Sequence, residues 1–191
     1  MAKLTPTTIS TQLYKGERVL LSGFDHDKDA SVEATWTHDP DYMRQLYYTP
    51  MKPKTQAQIK QKYLDLEKKI EQDKDIFYFQ VRLANTLELI GFCQIFNIMW
   101  THRTCQFLLG IGSGQHRRQG LGSQVLDLAM SFAANELNME KFSAAVPSYN
   151  IAAIHLFEKA HFELEARRRE ALLRDLQRWD ILTYGRLDGA Q

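Results

Sequence analysis

The chain has 191 residues, 44% of them hydrophobic and 25% charged, enough to bury a substantial core in one soluble domain covering 1–191. A formal net charge of +1 argues against a general nucleic-acid or membrane-surface binder, and two cysteines, Cys93 and Cys105, fit a reducing compartment rather than a disulfide framework or metal site. The longest apolar stretch, Leu87 to Trp100, contains Glu88, Gln94 and Asn97 and is too short to span a bilayer, while Met1 to Pro6 lacks an apolar signal core, so the expected location is cytoplasmic.

Glu17 to Phe24 reads as a first strand, and Asp27 to Ala34 as the start of a helix with acidic residues in its opening turns. Trp36 to Pro53, rich in aromatics, Pro and Asp, reads as a structured loop. Thr55 to Gln72 is helical: Thr55 can cap it, and Ile59, Tyr63, Leu66 and Ile70 recur at helical spacing, which leaves its Lys and Glu residues on a solvated face. Ile76 to Leu83 and Leu87 to Ile98 form a β-hairpin around Ala84-Asn85-Thr86, with Phe77, Phe79 and Val81 alternating against Tyr78, Gln80 and Arg82.

Cys105 to Ile111 is the next strand. It runs through Gly112-Ser113-Gly114 into Arg117-Arg118-Gln119-Gly120-Leu121-Gly122 and then into a helix, Gly120 to Leu137, whose buried stripe is Leu121, Val125, Leu128, Ala129 and Phe132. A glycine loop feeding a helix can build an anion cradle, because glycines permit tight turns and the first helical turn presents unpaired N–H groups at the positive end of the macrodipole. A pyrophosphate is the ligand part it suits. On these letters alone a solvated turn is an equal reading. The loop is not a Walker A motif, since no Lys-Ser or Lys-Thr follows Gly122, and it lacks the first glycine of the dinucleotide fingerprint.

Phe142 to Val146 returns as a strand broken by Pro147-Ser148-Tyr149, and Asn150 caps a short helix, Ile151 to Ala160. From Glu163 to Trp179 local propensity favours helix, whereas Trp179 to Tyr184 alternates like a strand; the residues alone leave both open.

Arg117-x-x-Gly120-x-Gly122 after a strand, followed by Asn150-x-x-Ala153-x-x-Leu156-Phe157-Glu158-Lys159-Ala160-His161-Phe162, resembles the GNAT superfamily of acyl-CoA-dependent N-acetyltransferases. Within it, the layout is similar to the branch of ribosomal-protein N-terminal and spermidine acetyltransferases. Ile90-Gly91-Phe92, Asn97 to Arg103, and Arg168 to Asp180 support the likeness, which covers about residues 16–187 in motif order. It implies an α/β fold: a mixed, strongly twisted sheet flanked by helices, whose fourth and fifth strands, Cys105 to Ile111 and Phe142 to Val146, splay apart at a bulge to admit acetyl-CoA. It also implies that Glu163 to Arg186 is a hairpin despite its helical propensity.

By the same resemblance, Leu109, Gly110 and Ile111 contact the pantetheine arm, whose amides can partner the strand groups that a splay leaves unpaired. Backbone N–H groups of Arg118, Gln119, Gly120, Leu121, Gly122 and Ser123 hold the pyrophosphate, with Arg117 or Arg118 side chains adding charge. Asn150 reaches the cofactor as well as capping its helix, and Phe157, otherwise a core aromatic packed with Ala153 and Ile154, lies beside the thioester sulfur. No metal is expected.

Two departures bear on catalysis. Many family members carry a Glu in the fourth strand to relay the amine proton and a Tyr in the last helix to protonate the thiolate; here Gln106 and Phe157 stand there, and neither does proton chemistry. Another, His161 in place of Gly, alters a helix C-cap. Gln106 is nonetheless the candidate catalytic residue, as a group that positions water, with His102 and His38 as titratable neighbours. Cys105 reads as a buried thiol rather than a nucleophile, so transfer is direct, in a ternary complex. Without a strong base, the expected acceptor is an α-amine or other weakly basic amine, on a small molecule or a peptide N-terminus. Its selectivity would lie in Trp36 to Tyr42, Tyr47 to Pro50 and the terminal hairpin, where Asp39 and Asp41 either attract an amine or cap a helix. The alternative is a non-catalytic acyl-CoA-binding or regulatory module. Nucleic-acid binding through Arg167-Arg168-Arg169 is disfavoured by Glu163, Glu165 and Glu170 around the run.

Overall fold

A computed structural model describes residues 13–50 and 52–188; the Met1 to Pro6 segment lies outside them. Seven strands form one sheet in the order β1-β2-β3-β4-β5-β7-β6. They are β1 (Val19–Ser22), β2 (Phe77–Leu83), β3 (Leu89–Met99), β4 (Thr104–Ile111), β5 (Lys141–Pro147), β6 (Glu163–Arg174) and β7 (Gln177–Leu187). Every neighbouring pair is antiparallel except β4 and β5, which are parallel. A parallel pair needs a crossover, and α4 (Leu121–Asn135) supplies it.

The strands turn alternate residues to opposite faces, and helices cover both. Cys93, Ile95, Phe107 and Phe142 face α4, whose Leu121, Val125, Leu126, Ala129, Met130, Phe132 and Ala133 are buried against them. Leu128, expected in that stripe, is only half-buried. Phe92, Tyr78 and Leu108 face the other way and pack on Trp36, Tyr42 and Met43. That second face is covered by α1 (Lys28–Trp36), α2 (Pro40–Leu46) and α3 (Gln56–Asp73). The last helix is α5 (Ile151–Lys159), and no helix among the described residues is long and apolar enough to cross a membrane.

Two expectations need correction on this second face. The stretch read wholly as loop contains α2, where Asp39 accepts from the N–H groups of Asp41 and Tyr42 and Pro40 occupies the first turn. At seven residues α2 is too short to show helical periodicity. On α3 Thr55 caps the helix as the sequence suggests, here in a capping box with Gln58, but the charged residues of the helix are not all solvated. Lys62 turns inward: its Nζ lies 2.6 Å from Oε1 of the buried Glu33 and 5.2 and 5.7 Å from the ring centroids of Tyr78 and Phe92. Tyr63 donates to Glu33 Oε2 at 2.6 Å, and Gln80 donates to the Tyr63 hydroxyl at 2.8 Å.

The terminal segment is a hairpin, not a helix. β6 pairs with β7 from Glu163↔Gly185 to Arg174↔Gln177, with irregularities that place Glu170 at a positive φ. Arg167 of the basic run pairs with Asp180. Tertiary pairing overrides the helical propensity of this Ala-, Leu- and Arg-rich stretch.

Candidate active site

β4 and β5 pair over three residues, Thr104, Cys105 and Gln106 with Lys141, Phe142 and Ser143. Beyond them β4 continues on β3 to Ile111 while β5 continues on β7 to Pro147. The two strands therefore part, leaving a wedge. It opens without a register shift between β4 and β5; the irregularity lies on β3, between Phe96 and Met99, with Asn97 at φ 50°.

The ladder pattern decides which backbone groups line the wedge. Gly112 donates to the Ile90 carbonyl at 2.8 Å, so even-numbered β4 residues bond β3 and odd-numbered ones turn toward β5. Leu109, through both its N–H and its C=O, and Ile111, through its N–H, thus face the opening, whereas Gly110 bonds β3. Gly110 instead offers closeness: a Cβ there would meet Leu46 and the Tyr42 hydroxyl at 3.1 Å. On the opposite edge Ser148 donates to Asp180 of β7 at 2.9 Å, so even-numbered β5 residues face β7 and Ala145 turns its N–H and C=O into the wedge.

The glycine loop lies at the end of β4. Arg118 and Gly120 take positive φ values of 61° and 78°, and Gly120 is the N-cap residue of α4, without a side-chain cap. A left-handed N-cap suits glycine, which has no Cβ to clash. Nothing lies within 4 Å of where a Gly120 Cβ would point, so the space before the helix is open. The Ser123 N–H bonds back to Gly120, while Leu121 and Gly122 are the first helical residues, whose N–H groups have no partner one turn earlier. Arg18 supports the loop from the start of the sheet, donating to the Gln119 carbonyl at 2.9 Å and, through its backbone N–H, to Gln124 at 3.1 Å. The exposed Arg118 side chain makes no hydrogen bond or ion pair among the described residues.

Arg117 is occupied elsewhere. Its Nε donates to the Ile111 carbonyl at 2.9 Å, and its Nη2 donates to Gly112 and to Asp39 Oδ2, both at 2.8 Å. The guanidinium also lies 5.1 Å from the Tyr42 ring centroid. Asp39 thus caps α2 with one oxygen and holds Arg117 with the other. Burial works to raise its pKa, but the Tyr42 N–H, the Arg117 guanidinium and the Asp41 N–H outweigh it and hold the carboxyl below the usual range. Of the two readings of Asp39, the cap is the one adopted. Asn150 is the N-cap of α5: its Oδ1 accepts from Ala153 N–H at 3.0 Å and its Nδ2 reaches Gln45 O at 3.4 Å.

A model of the GNAT acetyltransferase domain matches residues 18–163, from the start of the sheet through the wedge and loop to the end of α5. The chain belongs to the GNAT acetyltransferase family. Among curated relatives it is 38% identical over 53 residues to alpha/beta-tubulin-N-acetyltransferase 9 of Mus musculus, covering 28% of this chain and 22% of that one. To the probable N-acetyltransferase YjcK of Bacillus subtilis it is 24% identical over 106 residues, 56% of this chain and 58% of the relative. The chain thus spans less than two thirds of either relative's length. Among solved structures, spermidine N-acetyltransferase from Vibrio cholerae with CoA and spermine superposes with a TM-score of 0.76 at 20% identity, covering 91% of this chain and 97% of that one. RimL, a ribosomal L7/L12 alpha-N-protein acetyltransferase with coenzyme A, superposes at 0.78 and 16% identity, covering 91% and 96%. At such identities these likenesses establish the fold.

Around this GNAT wedge the remaining candidates fall on different sides. Gln106 shares its side of β4 with Leu108, the face of α2, and its Oε1 accepts from Asn97 Nδ2 at 3.1 Å. Phe157 is buried on the α4 side, edge-on to Phe162 at 5.2 Å, among the core residues that include Ala153 and Ile154. Cys93 and Cys105 are buried, and burial pushes both thiols up to about 12, so neither supplies a thiolate near neutrality. His102 is exposed in a short 3-10 turn after β3.

His38 lines a cleft of about 380 Å³ between the α1–α2 corner, the segment before α3 and the end of β6. Its other walls include Pro40, Met43, Arg44, Pro50 and Arg174. The elements expected to set acceptor choice do meet here. Arg44 pairs with Asp175 at 2.5 Å, and the cleft wall carries arginines rather than carboxylates. Sequence reasoning missed Arg18, Arg174 and the pairing of Asp39 with Arg117, since each acts on a partner distant in the chain.

Proposed function

We propose that the protein moves the acetyl group of acetyl-CoA directly to a weakly basic primary amine. What supports this most is one juxtaposition: the unpaired Leu109 and Ile111 edge of the wedge runs straight to the open N-terminus of α4 at Gly120. In this reading Leu109 and Ile111 partner the pantetheine amides, and Gly110 lets α2 close over that strand. The N–H groups of Arg118, Gln119, Gly120, Leu121 and Gly122 take the diphosphate, with charge from Arg118 and Arg18, while the Ser123 N–H stays on Gly120. Arg117 braces the loop instead of touching the ligand. Asn150 and Phe157 form the α5 side of the pocket.

The chemistry fits a site without a strong acid or base. A CoA thiol with a pKa of about 8.5 leaves tolerably as a thiolate near neutrality, which suits Phe157. An α-amine, at about 7.7–8.0, is roughly one-tenth neutral at pH 7, whereas a lysine-like amine near 10.4 is neutral in well under a thousandth of its molecules. With Arg44 already paired to Asp175, the cleft wall offers Arg174 and no carboxylate to hold a polycation, so a peptide N-terminus or small α-amine is the better acceptor. Gln106, its oxygen held by Asn97, turns its amide N–H groups toward a water that receives the surplus proton.

Gln106→Glu tests this. A carboxylate keeps the acceptor atom that Asn97 needs and adds a base, so turnover of lysine-like amines should rise about tenfold or more. The pH–rate profile should gain activity on its acid side. An unchanged profile would remove Gln106 from the acceptor site. Thiol release from acetyl-CoA across peptides, polyamines, aminoglycosides and amino acids tests the activity itself, with α-amine peptides expected to lead. The presence of Gln106 and Phe157 at the two proton-transfer positions favours one second reading, a non-catalytic acyl-CoA-binding module. Tight acetyl-CoA binding with no thiol release for any amine would establish that reading.

A further inference from the structure

The chain after α2 crosses the wedge. The Tyr48 hydroxyl donates to the Ala145 carbonyl at 3.0 Å. Ala145 lies two residues beyond Ser143, the last β5 residue paired with β4, and its carbonyl is one of the groups turned into the opening. Tyr48 follows directly on α2, whose end, Leu46 and Tyr47, packs with Leu108 on the face of the sheet that Gln106 shares.

Its placement is built by three side chains from two elements. Arg174 Nη2, at the end of β6, donates to the carbonyls of Tyr47 and Tyr48 at 2.9 and 3.2 Å. Tyr149 donates to Arg44 O at 2.7 Å, and Asn150 Nδ2 reaches Gln45 O at 3.4 Å. Segment 44–48 is thereby fixed to β6 and to the start of α5.

We infer that Tyr48 positions the acceptor amine, its hydroxyl proton committed to Ala145 and its oxygen lone pairs facing the nitrogen that enters beside Gln106. A hydroxyl has one donor and two acceptor sites, so spending the donor on a backbone carbonyl leaves an oriented acceptor. The inference rests on the acetyl-transfer reading. In that step the nitrogen lone pair forms the bond to the acetyl carbon, the carbon–sulfur pair leaves with sulfur, and the surplus nitrogen proton passes to water. Tyr48 keeps its own proton: although the residue is 40% exposed, partial desolvation of the hydroxyl, reinforced by Tyr149, raises its pKa above the ordinary phenol value despite the opposing charge of Arg168. It orients the nucleophile and is not the base.

Tyr48→Phe, assayed with the tripeptide amide Ser-Ala-Ala-NH2 as acceptor, decides the point. Loss of one hydrogen bond should raise the KM for that peptide about five- to tenfold, with kcat and the acetyl-CoA dissociation constant little changed. Arg174→Gln, which leaves Tyr48 intact but frees its backbone, should raise the same KM. An unchanged KM overturns the assignment. A lowered KM also overturns it, showing that the hydroxyl blocks Ala145, and an equal loss of acetyl-CoA affinity would reduce Tyr48 to a structural prop. If the wild-type protein binds acetyl-CoA but releases no thiol with this peptide, the α-amine transfer reading fails and the Tyr48 role with it.

Discussion

Gly120→Glu is expected to weaken acetyl-CoA binding at least about a hundredfold while the fold survives. Gly120 sits at φ 78° with nothing within 4 Å of its would-be Cβ, so a side chain meets no packed neighbour. The left-handed strain should cost about 1–2 kcal/mol. The larger effect is on the ligand. The carboxylate projects into the space where a diphosphate would be held, and removes the match between an anion and the positive end of α4. Gly120→Ala separates the two contributions, since it carries the strain without the charge and should retain most of the affinity. Titration calorimetry with acetyl-CoA, beside circular dichroism of both variants, makes the comparison. A folded Gly120→Glu protein with wild-type affinity would show that the coenzyme binds elsewhere.

Glu33→Ala should destabilise the protein by about 3–5 kcal/mol, as expected when one member of a buried, hydrogen-bonded ion pair is removed. The Glu33 side chain is 8% exposed and that of Lys62 24%, so the stranded ammonium has limited access to water. The Tyr63 hydroxyl also loses its acceptor, although it keeps the bond it receives from Gln80. Lys62 remains over the rings of Tyr63, Tyr78 and Phe92, which recovers part of the loss. Removing both charges with Glu33→Leu and Lys62→Met should cost much less than Glu33→Ala alone. Urea unfolding of the three proteins measures the differences. Equal stabilities for wild type and Glu33→Ala would mean that the pair makes no net contribution.

The parts of the molecule that could be read from sequence are those whose cause is local. The Gly120 turn, the stripe of α4 and the Asn150 cap each depend on residues within a few positions, and all three form, Leu128 of the stripe being only half-buried. β6 could not be read that way, because Ala166 to Leu173 favour helix and only pairing with β7 makes them a strand. α2 carried a local signal, Asp39 followed by Pro40, that seven residues were too few to amplify. Lys62 resembled its solvated neighbours on α3, since its inward turn depends on Glu33, 29 residues earlier. The wedge-lining pattern needed strand registers. The bond from Tyr48 to Ala145 joins residues 97 positions apart, a distance over which periodicity carries no information.

The bridge from Arg117 to Asp39 sets a rule for remodelling this protein. One carboxylate is shared by the loop beside α4 and the helix that borders the His38 cleft, so these parts are not interchangeable modules. Grafting a foreign loop that lacks the arginine would leave the first turn of α2 with a half-vacant aspartate. Replacing α2 would in turn untether the strand end at Ile111. A redesign that aims at a new donor or a new acceptor has to carry both residues together.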